Sequence, residues 1–140
     1  MTGWLLDTNV LSELRRPRPE SKVAGFVASQ SLERLYISSV TIAEIRFGIE
    51  QVDDANRRGQ LADWLTHVVR PMFVQRILPL SEDVIFKWRL LVEAGRKARR
   101  THSQPDALIA ATALHHGLTV VTRHAEGFAH TNVAVFNPWT

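Results

Sequence analysis

The chain has 140 residues and a formal net charge of +3, from 17 Lys and Arg against 14 Asp and Glu. This length is enough to bury the core of one domain, so we expect a single domain over residues 1–140. The sequence has no cysteine, which excludes disulfides and thiolate metal sites. No apolar run approaches the roughly 20 residues that span a bilayer, so we expect a cytoplasmic protein with no membrane partner.

Two kinds of segment alternate along the chain. Short apolar runs, bounded by polar or turn residues and mostly β-branched or aromatic, predict strands at residues 4–6, 35–37, 77–80, 118–121 and 133–136. Segments with helical spacing predict helices at residues 21–29, 40–52, 54–69, 82–100 and 104–116. This alternation predicts an α/β fold with a mainly parallel central sheet of about five strands and helices on both faces.

Three carboxylates are candidates for chemistry, and each has an ordinary structural explanation. Asp7 follows the first predicted strand, where it can cap the next helix or face a ligand site at the carboxyl edge of the sheet. Glu44 lies in a largely apolar helix and can equally be a solvated residue. Asp106 lies behind Pro105 in the first turn of a helix, where the helix dipole favours an anion.

The three acids together favour a metal site over three separate structural roles. Carboxylate oxygens are hard ligands suited to Mg²⁺ or Mn²⁺. A cation would also offset the cost of burying the Asp7 charge. A bound metal can activate water and stabilise the charge that develops on a phosphoryl group.

The sequence also resembles a known family over nearly all of its length, from residue 5 to residue 139. Four segments resemble, in order and spacing, those of the PIN-domain family, in particular bacterial toxins of the VapC/FitB type: LLDTNVLSEL, SSVTIAEIRFGIE, DALIAATALHHGLTVVTR and VAVFNPW. The resemblance implies a metal-dependent endoribonuclease, the toxin of a type II toxin–antitoxin pair, with tRNA or another structured RNA as its substrate class. It also implies a homodimer, a small antitoxin whose tail covers the active site, and DNA contact only through the antitoxin.

The same resemblance assigns roles to individual residues. It implies that Asp7, Glu44 and Asp106 hold Mg²⁺ or Mn²⁺ and carry catalysis, and that Thr8 and Asn9 support the first acid. The family's fourth acid is missing. Related toxins carry an aspartate directly after the Thr-Arg pair or three residues later.

This chain has His124 and Gly127 at those two places, with Glu126 one residue away. Three arrangements stay open: a neutral His124 imidazole reaches the metal, the longer Glu126 side chain reaches it, or three carboxylates and water complete the site.

Arginine supplies 14 of the 17 basic residues, which favours a nucleic acid or an acidic protein as partner. We expect some arginines to contact RNA or the antitoxin, although cations near helix ends also have a structural explanation. These candidates are Arg15, Arg16, Arg18, Arg46, Arg99 and Arg100.

Two other functions are compatible with parts of the sequence. The missing fourth acid fits a catalytically impaired protein that acts mainly as the antitoxin's partner in a DNA-bound regulatory complex. A hydrolase with an aspartate nucleophile is less compatible, because that chemistry needs a second Asp two residues after Asp7, where this chain has Asn9.

Overall fold

A computed structural model describes residues 3–140 and contains one five-stranded sheet in the order β3-β2-β1-β4-β5. Every neighbouring pair of strands is parallel, which confirms the predicted α/β class. The strands are β1 Trp4–Leu6, β2 Leu35–Ser38, β3 Ile77–Leu78, β4 Thr119–Val121 and β5 Val135–Phe136.

The helices lie between these strands in the predicted alternation. They are α1 Thr8–Arg15, α2 Ser21–Ser29, α3 Ser39–Glu50, α4 Ala55–Trp64, α5 Arg70–Met72, α6 Glu82–Lys97 and α7 Gln104–His116. Short 3₁₀ turns occur at Leu32–Arg34 and Ala125–Phe128. Within residues 3–140, no helix combines the length and apolar character needed to cross a membrane.

Two hydrophobic cores cover the opposite faces of the sheet. Successive side chains of a strand point to opposite faces, and the neighbours Leu5 and Leu6 of β1 belong to different cores. Leu6 packs with residues of α1, α2 and α3, whereas Leu5 packs with Ile109 and Ala110 of α7. Helices therefore cover both faces, as predicted.

The two outer strands are shorter than predicted. The prediction for residues 77–80 extends too far because Pro79 follows β3 and has no N–H to donate to a neighbouring strand. The prediction for residues 133–136 begins too early. Asn132 has a positive φ of 65°, and the Val133 N–H donates to Thr131 Oγ1 instead of to a strand.

The predicted helix 82–100 ends at Lys97, three residues early. There the Arg100 N–H donates to Gly95 O at 2.7 Å and the Arg99 N–H donates to Arg96 O at 3.1 Å. Arg99 takes a φ of 56°, the left-handed position that glycine usually fills in this type of helix ending. The sequence did not predict this helix end, because position 99 is an arginine and not the usual glycine.

The predicted helix 54–69 is continuous but changes register before a proline. After α4, residues Leu65–Val69 form a π turn, in which the Arg70 N–H donates to Leu65 O five residues earlier. Pro71 cannot donate a helical hydrogen bond and its ring crowds the preceding turn, which the wider turn accommodates.

The strand order changes direction at β1, and this fixes where a ligand site can form. The chain adds β2 and β3 on one side of β1 and then crosses to add β4 and β5 on the other. In such sheets the crevice at the carboxyl ends of the strands, where the order reverses, is the usual ligand site. Asp7 follows β1 and Thr122 follows β4 at this crevice.

Candidate active site

Asp7 is anchored at the carboxyl end of β1. Its backbone N–H donates to Val121 O of β4 at 2.9 Å, and its carboxylate Oδ1 accepts the Thr8 N–H at 2.8 Å as the N-cap of α1. Only 7% of Asp7 is exposed. The capping role considered from the sequence is therefore present, and it uses one of the two carboxylate oxygens.

The other oxygen of Asp7 is held by a polar network at the end of β4. The Thr122 hydroxyl donates to Asp7 Oδ2 at 2.8 Å, and the Asn9 amide donates to Thr122 Oγ1 at 3.1 Å and to Asp7 Oδ2 at 3.4 Å. The Arg123 N–H donates in turn to Asn9 Oδ1 at 3.1 Å. These donors offset much of the desolvation cost of the buried carboxylate.

Asp106 approaches the same crevice from the N-terminus of α7. Ser103 caps this helix by accepting the Asp106 N–H at 3.2 Å. Burial raises the pKa of the Asp106 carboxyl above its usual value, a Ser103 hydrogen bond lowers it, and the Asp7 charge raises it again. Asp106 therefore lies close enough to Asp7 to feel the charge of that carboxylate.

One cavity of about 810 Å³ collects most of the predicted site residues. Its walls include the carboxylates Asp7, Glu44 and Asp106, with a further carboxylate from Glu13. The predicted residues Thr8, Asn9, His124, Arg15 and Arg16 also line it. Asp7 is buried, Asp106 is half-buried and Glu44 is exposed, so the acids reach the cavity at different depths.

The donor set fits a divalent cation that is only partly held by protein. Among residues 3–140 no three His, Asp or Glu side chains lie close enough together to enclose a metal ion. Mg²⁺ usually keeps several waters and is held by one or two carboxylates together with substrate phosphate. Asp7 and Asp106 suit that role, with Glu44 farther out on the same cavity wall.

The two places at which related toxins carry a fourth acid hold His124 and Gly127 in this chain. The His124 side chain lines the main cavity, whereas Glu126 lines a neighbouring cavity of about 400 Å³ that shares Asp106. His124 Nδ1 lies 3.7 Å from Glu126 Oε1, and both side chains are exposed. A Cβ on Gly127 would lie 2.5 Å from Asp106 Oδ2, so any side chain at position 127 requires Asp106 to move.

The predicted arginines fall into three groups. Arg15 and Arg16 line the main cavity, and Arg100 lines the neighbouring one. Arg18 lines a third cavity, of about 450 Å³. Arg46 and Arg99 line none of these three cavities.

Sequence reasoning missed several residues of this site. Thr122 was identifiable, because a hydroxyl residue directly after β4 must lie beside the residue that ends β1. Arg123 follows it and lines the cavity, and Glu13 lies one helical turn beyond Asn9. Trp139, near the end of the chain, also forms part of the cavity wall.

The fold and the site define the class of the protein: an α/β protein with a carboxylate pocket at the carboxyl edge of a parallel sheet. The PIN-domain model matches residues 4–133, and the chain belongs to the PIN-domain family.

Named relatives and a solved structure agree with this assignment. The chain is 38% identical over 135 residues to Toxin FitB of Neisseria gonorrhoeae, covering 96% of this chain and 97% of that protein. It is 34% identical over 135 residues to VapC ribonuclease Y4jK of Sinorhizobium fredii, covering 96% of each. A solved structure of FitAB bound to the IR36 DNA fragment superposes with a TM-score of 0.90 at 36% identity, covering 98% of this chain and 96% of that chain.

Proposed function

We propose that the protein is a metal-dependent endoribonuclease and the toxin of a type II toxin–antitoxin pair. One observation carries the proposal: Asp7 and Asp106, from elements far apart in sequence, line one cavity at the switch point of the sheet. The similarity to a protein named VapC ribonuclease supports RNA as the substrate, and the similarity to Toxin FitB supports the toxin role.

The proposed partners follow from the same likenesses. A small antitoxin would bind the protein and cover the cavity, and DNA would be contacted only through the antitoxin, in line with the solved FitAB complex with DNA. We also propose that the protein acts in the cytoplasm as a homodimer and that structured RNA, such as tRNA, is the substrate.

In the proposed mechanism the chain supplies a fixed acidic pocket. Thr122, Asn9 and the Thr8 N–H hold the Asp7 carboxylate in one orientation, and the N-terminus of α7 contributes Asp106 to the same cavity. A divalent cation, Mg²⁺ or Mn²⁺, would supply an activated water and offset charge on the scissile phosphate.

Two further residues have proposed supporting roles. Glu44 adds negative charge to the cavity wall and can orient waters near the phosphate. His124 is the side chain available at the fourth position of this cavity.

The proposal is tested by incubating total RNA with the purified protein and Mn²⁺ or Mg²⁺ and mapping the new 5′ ends. We expect cleavage by the wild type, none in EDTA, and none by Asp7→Ala or Asp106→Ala. The matched control is Asp63→Ala, which removes an exposed carboxylate of α4 outside the cavity and should cleave normally. Retained cleavage by pure, folded Asp7→Ala or Asp106→Ala would refute the assignment.

The altered fourth position favours one alternative, a protein that binds the antitoxin without cleaving RNA. This alternative predicts that the wild type leaves all RNA intact with either metal and shows no carboxylate-dependent binding of Mn²⁺. The same experiment therefore decides between the two functions.

A further inference from the structure

A basic cavity of about 450 Å³ adjoins the candidate active site. Four residues line both cavities, so the two spaces join into one continuous groove: Glu13, Arg16, Arg123 and Trp139. We call this second cavity the basic arm; Arg18 and Glu20 also line it.

The basic arm has an excess of positive charge that its own carboxylates leave available. Its lining contains three arginines, Arg16, Arg18 and Arg123, and two carboxylates, Glu13 and Glu20. The Glu13 carboxylate accepts the Glu20 N–H at 2.9 Å and an Arg16 N–H at 3.4 Å. The Glu20 carboxylate accepts the Lys22 N–H at the start of α2. Both acids are therefore engaged by the chain, and neither pairs with Arg18 or Arg123 within residues 3–140.

Arg123 is held in place at the junction of the two cavities. Its N–H donates to Asn9 Oδ1, and its carbonyl accepts the Asn137 amide at 3.3 Å. Its guanidinium carbon lies 5.5 Å from the centroid of the Trp139 ring, within the range of a cation–π contact. An exposed guanidinium that is held on an aromatic ring keeps its N–H groups free for bidentate bonds to phosphate.

We propose that the basic arm binds an RNA phosphate flanking the one at the acidic cavity, through Arg123 and Arg18. The inference rests on the proposed function, because a strand cut beside Asp7 and Asp106 must carry its next phosphates out of that cavity. The acidic cavity repels a phosphate unless a cation is bound, whereas the adjoining arm attracts one. Because the arm continues the groove in which the strand would lie, an RNA phosphate fits it better than the carboxylate of an acidic peptide.

The test measures binding of a fluorescent 12-nucleotide RNA of mixed sequence to the full chain in EDTA, so that binding is followed without cleavage. Affinity is measured against KCl concentration for the wild type, Arg123→Ala, Arg18→Ala and Arg57→Ala. The control removes an exposed arginine of α4 that lines neither cavity. We expect the slope of log affinity against log salt to shrink by about 0.7 for each arm variant, as for one lost phosphate contact on a single strand. The control should keep the wild-type slope.

A conservative variant separates charge from geometry. Arg123→Lys should keep the salt slope but bind the RNA more weakly, because an ammonium group lacks the planar fork of donors. Thermal unfolding of each variant shows whether the fold is intact.

The proposal is overturned if folded Arg123→Ala and Arg18→Ala keep the wild-type slope. It is also overturned if they lose binding of a poly-glutamate peptide while RNA binding stays unchanged, since the arm would then be a peptide site. Failure of the proposed function is distinguishable. Wild-type protein that shows the expected slopes but never cleaves RNA with metal would keep the basic arm and refute the nuclease.

Discussion

The Thr122 hydroxyl donates a hydrogen bond to Asp7 Oδ2 at 2.8 Å, although the two residues lie 115 positions apart in sequence. The hydroxyl oxygen of Thr122 in turn accepts the Asn9 amide and the His124 N–H, each at 3.1 Å. Thr122 is fully buried, so its hydroxyl joins the end of β4 to the acid at the end of β1.

Thr122→Val should therefore damage both stability and activity. It keeps the size of the side chain but leaves Asp7 short of one donor, which we expect to cost about 2 kcal/mol of unfolding free energy. Urea unfolding at pH 7 measures the loss, and cleavage should fall because Asp7 loses its fixed orientation. Thr122→Ser keeps the hydroxyl and serves as the control. Equal stability of the Val and Ser variants would contradict the role given to this bond.

Gly127→Ala should disturb Asp106 without unfolding the protein. The added Cβ would lie 2.5 Å from Asp106 Oδ2, so the carboxylate has to turn away. We expect Mn²⁺ affinity, measured by calorimetry, to fall about tenfold, as for other changes beside a metal ligand. Gly25→Ala is the control, since its added Cβ meets nothing within 4 Å. Unchanged Mn²⁺ affinity in Gly127→Ala would show that Asp106 does not depend on this contact.

Arg99→Gly should stabilise the protein. Arg99 has a φ of 56°, which costs a residue with a side chain about 1 kcal/mol and glycine almost nothing. The midpoint of thermal unfolding should rise for Arg99→Gly but not for Arg99→Ala, which removes the charge and keeps the strain. A rise of equal size in both variants would instead indicate charge repulsion.

Glu13→Gln should change how stability depends on pH. The Glu20 N–H hydrogen bond, aided by Arg16, lowers the pKa of Glu13 below its usual value near 4.5. This carboxylate therefore contributes stability above that value, and the contribution is lost as the pH falls through its lowered pKa in the folded protein. Glu13→Gln should be less stable than wild type at pH 7, with a difference that shrinks towards pH 3 in urea unfolding. A difference that stays constant with pH would contradict the prediction.

The sequence predicted the fold well because the signals were local. Apolar periodicity placed all five strands, and helical spacing predicted the observed bounds of α7, which ends where Gly117 takes the left-handed φ of 66°. The failures arose where the usual local signal was absent or had an unusual outcome. Arg99 ends α6 in a conformation that its side chain disfavours, and Pro71 widens a helical turn without breaking the helix.

The sequence predicted the three acids that line the cavity, but not their surroundings. Asp7 and Asp106 follow from the rule that ligands bind at the carboxyl edge of a parallel sheet. The depth of Glu44, the stacking of Arg123 on Trp139 and the contact of Gly127 with Asp106 depend on how distant segments pack. No local sequence pattern predicts these three features.

The central claim, that Asp7 and Asp106 share one divalent cation, is tested most directly by thermal unfolding at pH 7 with and without Mn²⁺. Burial and the Asp7 charge raise the pKa of Asp106. The folded protein therefore loses stability as the pH rises through that pKa and the carboxyl becomes charged. In EDTA, Asp106→Asn should consequently unfold at a higher temperature than the wild type. Mn²⁺ should raise the midpoint of the wild type and leave that of Asp106→Asn nearly unchanged; an equal rise in both proteins, or none in the wild type, would contradict the claim.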